Sequence, residues 1–360
     1  MLERLIRQVN EGGVLTREEV RGAVECLVDE RVAVETKADF LAALARRGET
    51  PEEIAAFADE LRSRAVEPPL DPGWRSGRVI LDVVGTGGDR AGTFNISTTV
   101  ALICAAAGVA VAKHGNRAVT SRAGSADVLE ALGIPVQTTP EQAVENLRRH
   151  GFAFFFAPLY HPAFRHIAPA RKLCAERGQR TLFNYLGPLL NPARPDAQLM
   201  GVARPELCAP LAAVLQSLGI RRGAVVCGEL PGSGPETRVW VDELSPAGPT
   251  TVVVFGTGGA EAAAIWPRPA RARLVTGPGD LQGGDAATNA AMLEALLQGR
   301  DRGPRREAVL YNAAVALWVA GAAGSVEQGW LLAEQVVDDG RAARKLEELR
   351  RSAASSSSPA

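Results

Sequence analysis

One short passage constrains this chain more than any other. Val79-Ile80-Leu81-Asp82-Val83-Val84 is an apolar, β-branched run broken by a single aspartate, and Gly85-Thr86-Gly87-Gly88-Asp89 follows it directly. Asn95-Ile96-Ser97-Thr98-Thr99 then opens an apolar helix that stops at Gly108, and Val109-Ala110-Val111-Ala112 reads as the next strand. Two parallel strands need a long crossover, and a helix is the usual one. A strand, a glycine turn, a helix and a second strand therefore predict an α/β fold with a mainly parallel central sheet. Further strands are expected at Phe152–Phe156, Thr181–Tyr185, Ala224–Cys227, Val239–Val241 and Thr251–Phe255, and helices return from Thr288 to about Leu349.

The passage is preceded by a region with a different grammar. In residues 1–66, Leu2, Leu5, Ile6 and Val9 recur at helical spacing. Thr16 with Glu19, and Thr50 with Glu53 after Pro51, have the form of capping boxes. Between Val66 and Gly77 the run Pro68-Pro69-Leu70-Asp71-Pro72-Gly73 marks a linker. A chain of 360 residues suits two units, so residues 1–67 are expected to form a small helical domain ahead of a larger α/β one. Residues 351–360, rich in serine and alanine, are expected to be a disordered tail.

Charge and cysteine usage narrow the function. Forty basic residues against forty-one acidic ones leave −1, which argues against a surface built to coat nucleic acid. Only four of those cations are lysines, so each lysine stands out. Five cysteines at 26, 104, 174, 208 and 227 form no CxxC pair, and reduced, buried thiols in a cytoplasmic protein are the expectation. The longest apolar run, Val100 to Ala112, has thirteen residues, short of the ~20 that a membrane span needs.

Four places could carry chemistry. Gly85 to Asp89 lets backbone N–H groups approach an anion, and the next helix adds its positive N-terminal end. Neither the dinucleotide nor the P-loop pattern is met, since Arg90 stands where a third glycine is needed and no Gly-Lys-Ser/Thr follows. Thr93, Asn95, Ser97 and Thr98 could serve only as helix caps, but together they make a phosphate cradle the better reading. Lys113-His114-Gly115-Asn116-Arg117 ends the next strand, where α/β sheets bind ligands, with Ser121, Gly124 and Ser125 as further donors. Asp242-Glu243 follows a short strand and could face Mg²⁺, substrate phosphates completing its shell. Arg171 could clamp a carboxylate, while His161 and His166 lack companions at metal spacing. No nucleophile with a supporting motif is present. The residues alone describe a phosphate-binding, Mg²⁺-dependent α/β enzyme without naming its substrate.

These motifs, in this order, resemble the anthranilate phosphoribosyltransferase family. The resemblance runs through Gly85–Asp89, Thr93–Thr98, Lys113–Arg117, Ser125-Ala126-Asp127, His161-Pro162-Ala163, Asn184–Pro192, Asp242–Ser245 and Gly283–Ala286, over roughly residues 2–350. It implies a nucleoside phosphorylase-like fold, its small domain completed by a segment near 171–190 and its large domain made of 78–170 and 191–350. By position, it implies a phosphoribosyl diphosphate (PRPP) site of Gly85, Gly88, Asp89, Thr93, Asn95, Ile96, Ser97, Thr98, Lys113, His114, Gly115, Asn116, Arg117, Ser121 and Ser125. Mg²⁺ would be held at Ser97, Asp242 and Glu243, and anthranilate at Gly85, Asn116 and Arg171. The implied reaction joins the amine of anthranilate to C1 of PRPP in tryptophan biosynthesis, by a cytoplasmic homodimer using no nucleic acid or membrane partner.

One region departs from the family pattern. Cys227-Gly228 stands where the family commonly has histidine and glycine, and a Pro/Gly-rich insertion, Glu229 to Thr237, follows it. This insertion is expected to be a surface loop that leaves the acceptor unchanged. A pyrimidine nucleoside phosphorylase is disfavoured by Gly115-Asn116 after Lys113-His114. A relative acting on another aromatic acid, or a nucleic-acid-binding relative of the fold, remains as an alternative.

Overall fold

The computed structural model describes residues 1–118, 122–232, 237–257, 263–274 and 277–356. Four amphipathic helices come first: α1 (Leu2–Asn10), α2 (Arg17–Val28), α3 (Val34–Arg47) and α4 (Pro51–Arg62). Thr16 and Thr50 cap α2 and α4 as their sequences foretell, each hydroxyl accepting the N–H of a glutamate whose carboxylate returns to the cap N–H. The apolar faces close around Leu5, Val24, Phe40, Leu41 and Phe57, all fully buried. Buried Glu53 pairs with Arg47 and accepts the Leu15 N–H at 2.8 Å, which ties three of these segments together.

A single turn, α5 (Pro72–Arg75), sits in the linker. Then come β1 (Ile80–Gly85), α6 (Ile96–Ala106), β2 (Ala110–Gly115), α7 (Ser125–Ala131), α8 (Pro140–His150) and β3 (Phe152–Phe156). Short α9 (Ala157–Tyr160), α10 (Ala168–Glu176) and α11 (Phe183–Leu186) lead to β4 (Ala197–Gly201) and α12 (Cys208–Ser217). The strands β5 (Arg222–Pro231), β6 (Arg238–Val241), β7 (Thr250–Phe255) and β8 (Ala263–Trp266) complete the sheet. Four helices close the chain: α13 (Ala286–Leu297), α14 (Pro304–Val319), α15 (Val326–Asp338) and α16 (Arg341–Ser356).

The sheet order is β3-β2-β1-β4-β5-β7-β8, with β6 paired to β5. The pairings among β1 to β5 are parallel, and those of β6, β7 and β8 are antiparallel. From β1 the chain steps outward to β2 and β3, then returns to β4 on the other side. That reversal makes a switch point beside β1, where a crevice opens at the carboxyl ends of the strands. One sheet face packs against α6 and α13 to α16. The other packs against α12, whose core is continuous with that of the N-terminal helices. The five cysteines are unpaired, and four of them are buried. Among the described residues no helix is long and apolar enough to cross a membrane.

Several expectations need correction. Thr181–Tyr185 is not a strand: the Thr181 N–H donates to Asn184 Oδ1 at 2.8 Å, and Leu182 and Leu186, at i and i+4, bury one face of the turn around α11. The central strand β4 was not expected, because Ala-Gln-Leu-Met-Gly has no β-branched residue; its buried Gln198 is satisfied by donating to the Pro188 carbonyl at 2.9 Å. Strand β8 was also missed. The insertion does not begin as a loop: Glu229 to Pro231 extend β5 and pair with β6, and Leu230 is fully buried. Helix α16 runs to Ser356, six residues into the segment expected to be a tail.

Candidate active site

Strand ends bring the predicted residues to one place. Gly85 ends β1, Gly115 ends β2, Gly201 ends β4, and Asp242-Glu243 lies just past β6. The acidic pair is built onto the sheet by close approach. A side chain at Gly201 would collide with the Asp242 carbonyl, and one at Gly85 with its carboxylate. The next residue, Leu244, is gripped on both sides by buried Asn312 of α14: its N–H donates to Asn312 Oδ1 at 2.9 Å, and its carbonyl accepts from Nδ2 at 3.0 Å.

The two carboxylates reach into the glycine turn and the following helix. Asp242 Oδ2 accepts the Gly87 N–H at 2.7 Å, and Glu243 Oε1 accepts the Ser97 N–H in the first turn of α6 at 3.1 Å. Asp89 folds back so that the Asp242 N–H donates to its carboxylate at 3.4 Å. Lys113 extends along the sheet, donating to the Val83 carbonyl at 2.7 Å and lying 3.4 Å from Ser97 Oγ.

The electrostatics are those of a site short of positive charge. Burial raises the pKa of Asp242, and the Asp89 carboxylate raises it further. Burial likewise lifts Glu243 well above the usual carboxylate range, the neighbouring Asp242 adds to this, and Lys113 offsets part of it. Lys113 is itself lowered by burial, against the pull of Asp82 and Glu243. Asp82 is pushed up to about 6 by burial, with Asn191 Nδ2 donating to it at 2.9 Å. Among the described residues no three carboxylate, histidine or cysteine side chains already converge on one point. Two carboxylates with spare oxygens are placed to receive a hard cation, whose remaining ligands substrate oxygens can supply.

The other predicted residues sort less uniformly. Asn95 donates to the Ala123 carbonyl at 3.3 Å and accepts from Asn289 of α13 at 2.8 Å, while Thr93 pairs with Gln282. Ile96 and Thr98 are buried, and the Thr98 hydroxyl finds no partner among the described residues. His114 sits edge-on to His161, ring centroids 5.2 Å apart. Burial lowers both, to about 3 and about 4, so neither supplies positive charge at neutral pH. Arg117 is already committed to Asp127 at 3.1 Å and Glu130 at 2.6 Å. Asn116 is exposed, its Oδ1 accepting the Arg117 N–H at 2.7 Å, and Ser125 Oγ donates to the Asn116 carbonyl at 3.4 Å. Ser121 lies outside the described residues.

Arg171 is set apart on α10. Its guanidinium stacks over Phe183, 5.2 Å from the ring centroid, and no carboxylate pairs with it among the described residues. Burial lowers its pKa. A desolvated cation without an anion is suited to a ligand's carboxylate. Sequence reasoning missed Asn289 and Asn312, whose contacts span long stretches of chain, and Arg180, whose Nη2 donates to the Gly88 carbonyl at 2.9 Å.

Known proteins decide the family. Residues 77–343 match the model of the glycosyl transferase family, a/b domain, and residues 3–65 match its helical bundle domain. The anthranilate phosphoribosyltransferase of Rubrobacter xylanophilus is 42% identical over 347 residues, 96% of each chain. That of Moorella thermoacetica is 44% identical over 350 residues, covering 96% of this chain and 97% of the relative. This chain belongs to the anthranilate phosphoribosyltransferase family. Among solved structures, the family's Thermus thermophilus member superposes with a TM-score of 0.84 at 41% identity, over 97% of this chain and 99% of that one. The Saccharomyces cerevisiae member, in complex with PRPP and Mg, gives 0.80 at 25% identity over 98% of both chains. The small helical domain beside a larger α/β domain is thus the family's architecture.

Proposed function

We propose that the crevice beside β1 is where this chain joins the phosphoribosyl group of PRPP to the amine of anthranilate, giving N-(5-phosphoribosyl)anthranilate and pyrophosphate. The observation that carries the reading is the acidic pair Asp242-Glu243, bonded at once to the glycine turn and to the start of α6. The donor's leaving group departs with negative charge spread over several oxygens. What it needs is fixed positive charge and oriented N–H groups, not a protein nucleophile. Beyond the Gly87 and Ser97 N–H groups that Asp242 and Glu243 already hold, the glycine turn supplies further backbone N–H groups, α6 its N-terminal end, and Lys113 a cation.

The excess of buried carboxylate fits a divalent metal, and Asp242, Glu243 and the Ser97 hydroxyl are the groups that would hold Mg²⁺. When bound, Mg²⁺ supplies the positive charge that neutralises the diphosphate. Arg171 holds the acceptor carboxylate and Asn116 is a second acceptor contact, so that the weak aromatic amine is positioned rather than activated. Arg117, half-exposed and paired with Asp127 and Glu130, would have to share its guanidinium between these carboxylates and a phosphate. By the same family reading, the chain works in the cytoplasm as a homodimer joined through its N-terminal helices.

The test is loss of anthranilate fluorescence with PRPP and Mg²⁺, run beside other aromatic acids. Arg171→Ala removes a charge-assisted pair worth about 1.5–3 kcal/mol. Anthranilate use should fall roughly ten- to a hundred-fold with the PRPP constant little changed. Well-folded protein that ignores anthranilate but uses another aromatic acid would refute the acceptor assignment.

A further inference from the structure

The segment that carries Arg171 continues past α10 through Gly178 and Gln179 to Arg180, which reaches the opposite wall of the crevice. Its Nη2 donates to the Gly88 carbonyl at 2.9 Å. The side chain is exposed and forms no ion pair among the described residues, so most of its five N–H donors stay uncommitted.

The glycine turn needs such a tie. Gly87, Gly88 and Gly92 hold positive φ, between 67° and 78°, where glycine has no side chain to fix one shape. Arg90 holds φ 64°, which a non-glycine residue keeps only where contacts impose it. Contacts hold the turn instead. The Gly87 N–H goes to Asp242 and the Ala91 N–H to Asp89 at 3.1 Å, both within the α/β domain. The Gly88 carbonyl alone among these is held by the acceptor-bearing segment. A peptide unit is planar and trans, so fixing the Gly88 carbonyl on Arg180 turns the Asp89 N–H to the opposite side. A carbonyl left free at this turn would repel an incoming diphosphate. Arg180 occupies that oxygen and adds a positive charge beside it.

We propose that Arg180 is a further donor-site residue, orienting the Gly88–Asp89 peptide and offering its remaining N–H groups to the diphosphate of PRPP. The proposal rests on the functional reading above. It also makes ordering of the donor turn depend on the segment that carries Arg171, so the two substrates' sites share one mechanical link.

Calorimetric titration of the full chain with PRPP and Mg²⁺ tests it, alongside steady-state constants and unfolding midpoints. Arg180→Gln should weaken PRPP binding at least ten-fold, with the anthranilate constant within about three-fold and the unfolding midpoint unchanged. Arg180→Lys should recover part of the loss, since it restores the charge but not the planar fork. PRPP binding within two-fold of wild type in Arg180→Gln overturns the proposal. So does a rise in the anthranilate constant alone, or an equal loss for both substrates with a lowered midpoint. Wild-type protein that binds no PRPP at all would instead overturn the functional reading.

Discussion

Replacing Gly85 by alanine tests the geometry of the acidic pair with one methyl group. Gly85 ends β1 and its φ is not positive, so alanine fits the backbone without strain. The added Cβ would stand 2.9 Å from the Asp242 carboxyl carbon. Carbon atoms rest about 3.5–4.0 Å apart, so the carboxylate must retreat by roughly 0.6–1.1 Å. A retreat of that size breaks the 2.7 Å bond from the Gly87 N–H. A hydrogen bond to a charged group contributes about 1.5–3 kcal/mol, equivalent to a ten- to hundred-fold change. The loss should appear as a higher Mg²⁺ requirement and a lower kcat/KM, read from anthranilate fluorescence across a magnesium titration at saturating PRPP. Urea unfolding run in parallel separates this from misfolding. A folded variant whose magnesium curve and kcat/KM lie within two-fold of wild type would refute the argument.

Two further predictions address the scaffold. Leu230→Ala should destabilise the protein by about 2–5 kcal/mol in urea unfolding, because Leu230 is fully buried in β5; a cost below about 1 kcal/mol would return it to a surface loop. Glu19 accepts from the Thr16 N–H, Gln8 and Arg4, which push its pKa down from 4.5 to about 2. A depressed carboxyl stabilises the fold above its unfolded pKa and loses that effect as pH falls through the folded one. Glu19→Gln should therefore lower the unfolding midpoint at neutral pH, the gap from wild type narrowing from about pH 4.5 and closing near pH 2. A gap that stays constant across that window would exclude the linkage.

Local chemistry determines part of this protein. The threonine caps, the strand–glycine turn–helix–strand unit and the Asp242-Glu243 dipeptide are written in neighbouring residues, so they can be read in neighbouring residues. Fold class follows from them, while the family comes from the resemblance of the whole ordered set of motifs from Gly85 to Ala286. What remained illegible depends on partners far along the chain. β4 carries no strand propensity of its own and is a strand because β1 and β5 pair with it on either side. Thr181 to Tyr185 has the composition of a strand but turns into a helix, because Leu182 and Leu186 are drawn into the core of the N-terminal helices. Arg117 and Arg180 cannot be ranked as phosphate ligands from sequence. Only the fold shows Arg117 paired with Asp127 and Glu130 while Arg180 crosses to Gly88 with donors to spare. Residue type determines what a side chain can bond; the tertiary structure determines which bonds are already made.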